Sequence, residues 1–232
     1  MARLHLLVEG QTEETFVNTV LRPHLAALNI WVDVRCLATK KKIRRRKEVG
    51  GILPYGKAKA DLQRWINEDS NDDSWYSTMF DLYELPNDFP DFEIARDLQD
   101  PLDRAEVLQT AFSEDINYRR FIPYIQLHEF EAILFSDLQK LGFEFINQQN
   151  SIDTLINIFQ SAVSPEHIND TPEGAPSKRI INVIPEYEGR KASAGPMIAE
   201  NIGLVTIRKH CLHFDKWLAS LEGLANPPLV GK

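Results

Sequence analysis

At 232 residues, with 43% hydrophobic and 26% charged side chains, the chain can bury a sizeable core and is too balanced in composition to be disordered. A net charge of −8 argues against a protein that coats nucleic acid by overall charge, and no apolar run is long enough to cross a bilayer. The amino terminus turns acidic after a few apolar residues, unlike a secretory signal, and Cys36 and Cys211 have no metal-type spacing, so a cytoplasmic protein with buried thiols is expected.

Residues 4–8 are apolar on both faces, as in a strand buried within a parallel sheet, and they end in Glu9-Gly10. Thr12 is placed to cap a helix with Glu13 and Glu14 in its first turn, and apolar residues recur at helical spacing from Phe16 to Leu28 with Pro23 as a kink. A β-branched strand at 30–37 completes a βαβ start. Lys40, Lys41, Lys42, Arg44, Arg45, Arg46 and Lys47 then put seven positive charges into eight residues of an expected exposed loop. A helix is expected over 57–67, a third strand over 75–82, a Pro- and Asp-rich connection over 88–101 and a helix from Asp100-Pro101 to Ile116. Residues 120–127 read as a fourth strand, which Pro123 assigns to an edge or a bulge. Helices are expected over 152–163, 177–184, 196–202 and 215–221, with a loop at 164–176 too long for a plain connector. The fold class is therefore α/β: a mostly parallel sheet flanked by helices over 1–136, with a helical C-terminal subdomain over 137–232 packed on it as one structural unit.

In open parallel sheets, sites form beyond the carboxyl ends of the strands. Glu9, Asp81 and Glu129 stand at or just after three expected strand ends, with Glu13, Glu84 and Glu131 a few residues on. Carboxylates brought together repel unless they are protonated or neutralised, and hard oxygen donors suit Mg²⁺ or Mn²⁺. Bland readings stand beside this one. Glu9 and Asp81 can be helix caps or solvated turn acids, and the basic run can be a solvated loop. His128-Glu129-Phe130-Glu131 lacks the second histidine of a zinc helix, and Cys211-Leu212-His213 suits core packing. Lys178 and Arg179 begin a helix where backbone amides and cations suit a phosphate, or they pair with Glu173 or Glu186.

The stretch from Val8 to Glu13 resembles the opening motif of Toprim domains, above all those of overcoming-lysogenization-defect nucleases, in which a strand-end glutamate and a second acid four residues on bind metal. Asp81 falls at the first aspartate of the Toprim Asp-x-Asp motif; Tyr83 stands at the second, with Glu84 next to it. Through VEGQTEE, FDLYELP, HEFEAILF, HINDTPEGAPSKRI and GLVTIRKHCLHFDKWL, nearly the whole chain is similar to a bacterial Toprim-like family of unknown function, domain of unknown function 4276. That family resembles a component of abortive-infection phage-defence pairs and is often encoded beside an ATPase.

The resemblance implies a Toprim-like fold and a Mg²⁺- or Mn²⁺-dependent nuclease acting on DNA or RNA with an ATPase partner. Glu9, Glu13, Asp81, Glu129 and Glu131 would hold metal, Lys178 would neutralise the scissile phosphate, and the 40–47 run would grip the backbone. Two other readings stand: a non-catalytic sensor or regulatory subunit, which Tyr83 favours, and a hydrolase of small phosphorylated molecules.

Overall fold

The computed structural model describes residues 1–37, 54–160, 162–168 and 174–225. The basic run at 40–47 lies outside the described residues.

The long strands are β1 (Ala2–Val8), β2 (Ile30–Cys36) and β3 (Ser74–Asp81). Two short strands, β4 (Phe121–Ile122) and β5 (Ile125–Gln126), pair with β3 in succession, and among the described residues all pairs are parallel in the order β2-β1-β3-β4. The single strand expected over 120–127 is thus interrupted at Pro123, which has no N–H to give to a ladder. The Thr78 hydroxyl fills the gap, accepting the Tyr124 N–H at 3.0 Å and lying 3.1 Å from the Tyr124 carbonyl. Side chains alternate across the sheet. Leu4, Leu6 and Val8 face one apolar layer and Leu7, Tyr76 and Phe80 the other.

β1 connects to β2 through α1 (Gln11–Phe16), a π-helical turn (Val17–Leu21) and α2 (Arg22–Ala26). The wider turn places Pro23 in the first turn of α2, where a missing N–H costs least. Thr12 is not the cap: α1 begins at Gln11 with Gly10 as its N-cap, and Glu13 Oε2 accepts the Gly10 N–H at 2.9 Å. On the opposite face lie α3 (Tyr55–Glu68), α4 (Phe92–Arg96) and α5 (Pro101–Ile116). α5 starts as expected, with Asp100 accepting the Leu102 N–H at 2.8 Å and Pro101 in the first turn.

After β5 the chain forms 3-10 segments at Phe130–Ser136 and Leu138–Phe143, then α6 (Gln149–Phe159), a 3-10 turn at Pro165–His167, α7 (Pro176–Val183), α8 (Lys191–Ile202), α9 (Leu204–His210) and α10 (Leu212–Glu222). α8 begins more than a turn before Pro196, its expected start, and α9 is not among the expected helices. These C-terminal helices do not build a core of their own. Ile198, Phe214, Trp217 and Leu218 share one apolar cluster with Leu4, Leu6 and Val8 of β1. Among the described residues no helix is long and apolar enough to cross a membrane.

Candidate functional site

The strand order makes a switch point between β1 and β3. The chain leaves β1 toward the layer of Phe16, Leu21 and Leu25, but leaves β3 toward the layer of Leu108 and Phe112. Loops that diverge to opposite faces leave a crevice at the carboxyl edge, the place where open α/β sheets bind ligands. Glu9 follows β1 and Asp81 ends β3 at this crevice. The Asp81 N–H donates to Glu9 Oε2 at 3.1 Å, so the two are on one edge.

β5 brings the third acid. Gln126 pairs in register with Asp81, and His128 then turns the chain with a φ of +64°, a left-handed conformation uncommon for a residue with a Cβ. Its carbonyl accepts the Tyr83 N–H at 3.0 Å, and its buried ring bonds the Glu166 carbonyl through Nε2 at 3.1 Å. Held from both sides, the turn delivers Glu129 and Glu131 to the crevice. Glu129 accepts hydrogen bonds from the Ser177 N–H and, at 3.0 Å, from Ser177 Oγ at the start of α7. Glu131 accepts from the Tyr187 hydroxyl at 3.1 Å and lies 3.7 Å from Lys191 Nζ. Tyr187 and Lys191 reach it because α8 packs tightly here. A Cβ added at Gly195 would come within 3.0 Å of the Tyr187 hydroxyl and 3.2 Å of Phe130.

Electrostatically, burial and neighbouring charge raise four of these acids, Glu9, Glu13, Asp81 and Glu131. Asp81 is pushed well above the usual carboxylate range, first by burial and then by the charges of Glu9, Glu13, Glu131 and Glu129. Burial also raises Glu9 strongly, with Glu84 the largest charge contribution, and raises Glu13 against the pull of its Gly10 hydrogen bond. Burial and Glu129 lift Glu131 to about 7, with Lys191 opposing. Asp81 Oδ1 is buried with no hydrogen-bond partner, an unusual state for a carboxylate oxygen.

The donor set is all oxygen, which matches Mg²⁺ or Mn²⁺ rather than zinc or copper. The side chains do not at present form a ligand shell: among the described residues no group of three or more His, Cys, Asp or Glu is arranged to hold an ion. Two causes are visible, since Glu13 is turned onto the Gly10 amide and Glu129 onto Ser177.

Every expected carboxylate ligand is therefore at this edge. Lys178 is exposed on the first turn of α7, one residue beyond Ser177. The cation drawn against the carboxylates is Lys191, which sequence reasoning misses because it opens a helix expected to begin later. Glu166 is missed too. It is buried and its two carboxylate oxygens accept the His213 and Phe214 N–H groups at 3.0 Å each, at the start of α10. A lone glutamate in an apparent loop carries no signal for this. Tyr83 packs its ring 5.4 Å from that of His128.

The chain belongs to the family described as a domain of unknown function (DUF4276), whose profile matches residues 8–222 and so spans all of these groups. No curated protein matches it.

Proposed function

We propose that this edge is the active site of a Mg²⁺- or Mn²⁺-dependent phosphodiesterase acting on DNA or RNA. The observation that carries the reading is Asp81 Oδ1, buried and unpaired beside Glu9, Glu13, Glu131 and Glu129, whose charges add to burial in raising the Asp81 carboxyl's proton affinity. A site of this kind is costly to keep unless a cation neutralises it. Glu9 and Asp81 would be the principal ligands, with Glu13, Glu129 and Glu131 completing the shell directly or through water.

A bound divalent ion would supply Lewis-acid polarisation of a phosphate oxygen and lower the pKa of a bound water. The chain's own groups do the remainder. Ser177 holds Glu129, and Tyr187 with Lys191 orients Glu131. Glu131, with a pKa of about 7, can hold or release a proton near neutrality. Lys178 on the exposed turn of α7 would meet the phosphate of an incoming strand. The basic residues at 40–47 would contribute backbone contacts without sequence choice. An ATPase partner, which the sequence resemblance suggests, would control access.

The test is incubation of labelled DNA and RNA with Mg²⁺ or Mn²⁺, comparing the native protein with Asp81→Asn in the presence of that partner. Metal-dependent cleavage that the substitution abolishes supports the reading; cleavage that survives it removes Asp81 from the site. A second reading, a regulatory subunit that retains the fold without catalysis, is favoured by Tyr83 at the second Asp-x-Asp position and by Glu129 serving as the cap of α7. No cleavage by either protein, across several nucleic acids, would favour it.

A further inference from the structure

Three of the carboxylates at the crevice accept a hydrogen bond from a backbone amide: Glu9 from Asp81 at 3.1 Å, Glu13 from Gly10 at 2.9 Å, and Glu129 from Ser177. The first two amides belong to the crevice itself. The third opens α7, 48 positions away in sequence. We propose that Ser177 is an autoinhibitory latch, which holds Glu129 off the ion site until a divalent cation draws it away and loosens the first turn of α7. The inference rests on the metal-binding reading above and concerns the regulation of that site.

Glu129 is gripped twice. Its Oε1 takes the Ser177 N–H, and its Oε2 takes the Ser177 hydroxyl at 3.0 Å. In that position it does not join its neighbours in a ligand shell, since among the described residues no three such side chains are arranged to hold an ion. The main chain cannot supply the missing movement. The His128 carbonyl accepts the Tyr83 N–H at 3.0 Å and the Glu129 carbonyl accepts the Ala132 N–H at 2.9 Å, which fixes the backbone on both sides. The Glu129 side chain is half-buried, whereas Glu131 is fully buried. Rotation of the Glu129 side chain between staggered rotamers is therefore the soft coordinate.

α7 depends on this carboxylate. Its N-cap is Ala175, which has no side-chain acceptor, and Pro176 has no N–H, so the Ser177 amide is the first in the helix to need a partner. Farther along, Ile180 and Ile184 are buried in the main apolar cluster and keep the helix in place. The change is thus confined to the first turn, which carries Lys178. Glu13 cannot play this part. Its amide partner lies three residues away in its own turn, so swinging it frees no separate element.

An ion decides the competition. Ser177 offers Glu129 two neutral donors, each a modest stabilisation once water is counted. A divalent cation offers a doubly charged partner, in a site where Asp81 Oδ1 is buried and unpaired. A latch that must open before Glu129 can ligate lowers the apparent affinity by the fraction of molecules in which it is open. Weakening the latch therefore tightens ion binding, whereas weakening a support for a ligand already in place loosens it. The sign separates the two roles.

The test uses the full chain with Mn²⁺ alone, read by calorimetric titration and by hydrogen exchange of the peptide spanning 174–183. Saturating Mn²⁺ is expected to speed exchange at the start of α7 by at least about fivefold and to leave α5 unchanged. Ser177→Ala is expected to bind Mn²⁺ about fivefold more tightly and to exchange fast at α7 without the ion. Glu129→Gln keeps an acceptor for the Ser177 amide and is expected to abolish the response of α7 to Mn²⁺. With the native protein, it keeps the test decisive if Ser177→Ala is unstable. Exchange at α7 that Mn²⁺ slows or leaves unchanged overturns the latch, and so does equal or weaker Mn²⁺ binding by Ser177→Ala. Either result, with Mn²⁺ bound by the native protein, leaves the active-site reading intact. No Mn²⁺ binding by the native protein overturns both.

Discussion

Asp81 and Glu9, separated by 72 positions in sequence, meet through a 3.1 Å hydrogen bond from the Asp81 amide to Glu9 Oε2, while Asp81 Oδ1 remains buried and unpaired. One contact gives Glu9 a structural task and the other leaves Asp81 with an unmet need. The two residues therefore predict different consequences when changed.

Glu9→Gln keeps an oxygen for the Asp81 amide and removes one charge. Thermal stability in the absence of divalent ions should hold or rise, since repulsion in the site falls. Glu9→Ala also loses the acceptor and should cost about 1 kcal/mol. Under the proposed function, both should abolish metal-dependent cleavage. A Glu9→Gln protein that melts well below the native one would make Glu9 a structural residue first.

Stability should depend on pH in a direction that isolates the cluster. Glu131 is held at about 7 and Glu9, Glu13 and Asp81 are also raised, so between their unfolded and folded pKa values the folded state binds more protons. Their contribution is present at low pH and is lost as pH rises through the folded values. Buried His213, lowered to about 4, acts oppositely but only up to its unfolded pKa near about 6.5. From about pH 6.5 to about pH 8, the melting temperature of the chelator-treated protein should therefore fall, and Mn²⁺ should restore it. A flat or rising melting temperature over that interval, with no response to Mn²⁺, would mean that the carboxylates do not interact as their geometry implies.

At His128 the usual preference between alanine and glycine should reverse. The residue holds φ at +64°, which costs a residue bearing a Cβ about 1 kcal/mol. Both substitutions lose the ring's hydrogen bond to the Glu166 carbonyl. His128→Gly relieves the backbone and His128→Ala does not, so equilibrium unfolding should rank native, Gly, Ala, with a gap of about 1 kcal/mol between the last two. Equal stabilities would remove strain from the account of this turn.

Much of this architecture was legible in the sequence, for reasons that are local. The apolar run before Glu9 reads as a buried parallel strand because both of its faces are covered, and Asp100-Pro101 announces α5 by a cap and a pre-set φ. The acids at the ends of β1, β3 and β5 could be placed on one edge because parallel strands share a carboxyl end. What was not legible depends on distant contacts. Phe130–Ser136 is almost wholly apolar, without a period that distinguishes helix from strand, and its 3-10 form is set by burial. The cap that α10 receives from Glu166 spans 47 positions, and Lys191 meets Glu131 only because α8 packs closely at Gly195.

Glu166 offers a stability test away from the chemistry. Glu166→Ala leaves two buried amides at the start of α10 without their acceptor and unties the turn that contacts His128. Denaturant unfolding should show a loss of about 2–3 kcal/mol, more than an exposed cap would cost. A loss below about 0.5 kcal/mol, the range of ordinary surface substitutions, would mean that water replaces the carboxylate freely.

The claim on which the rest depends is that the β1–β3 crevice binds a divalent cation through Asp81 and Glu9, and calorimetric titration of Mn²⁺ into the native protein and Asp81→Asn measures it directly. The account predicts stoichiometric binding with proton release at neutral pH, because raised carboxyls must ionise to coordinate, and at least about tenfold weaker binding by Asp81→Asn at unchanged fold. Equal affinity in the two proteins, or no binding by the native one, would contradict it.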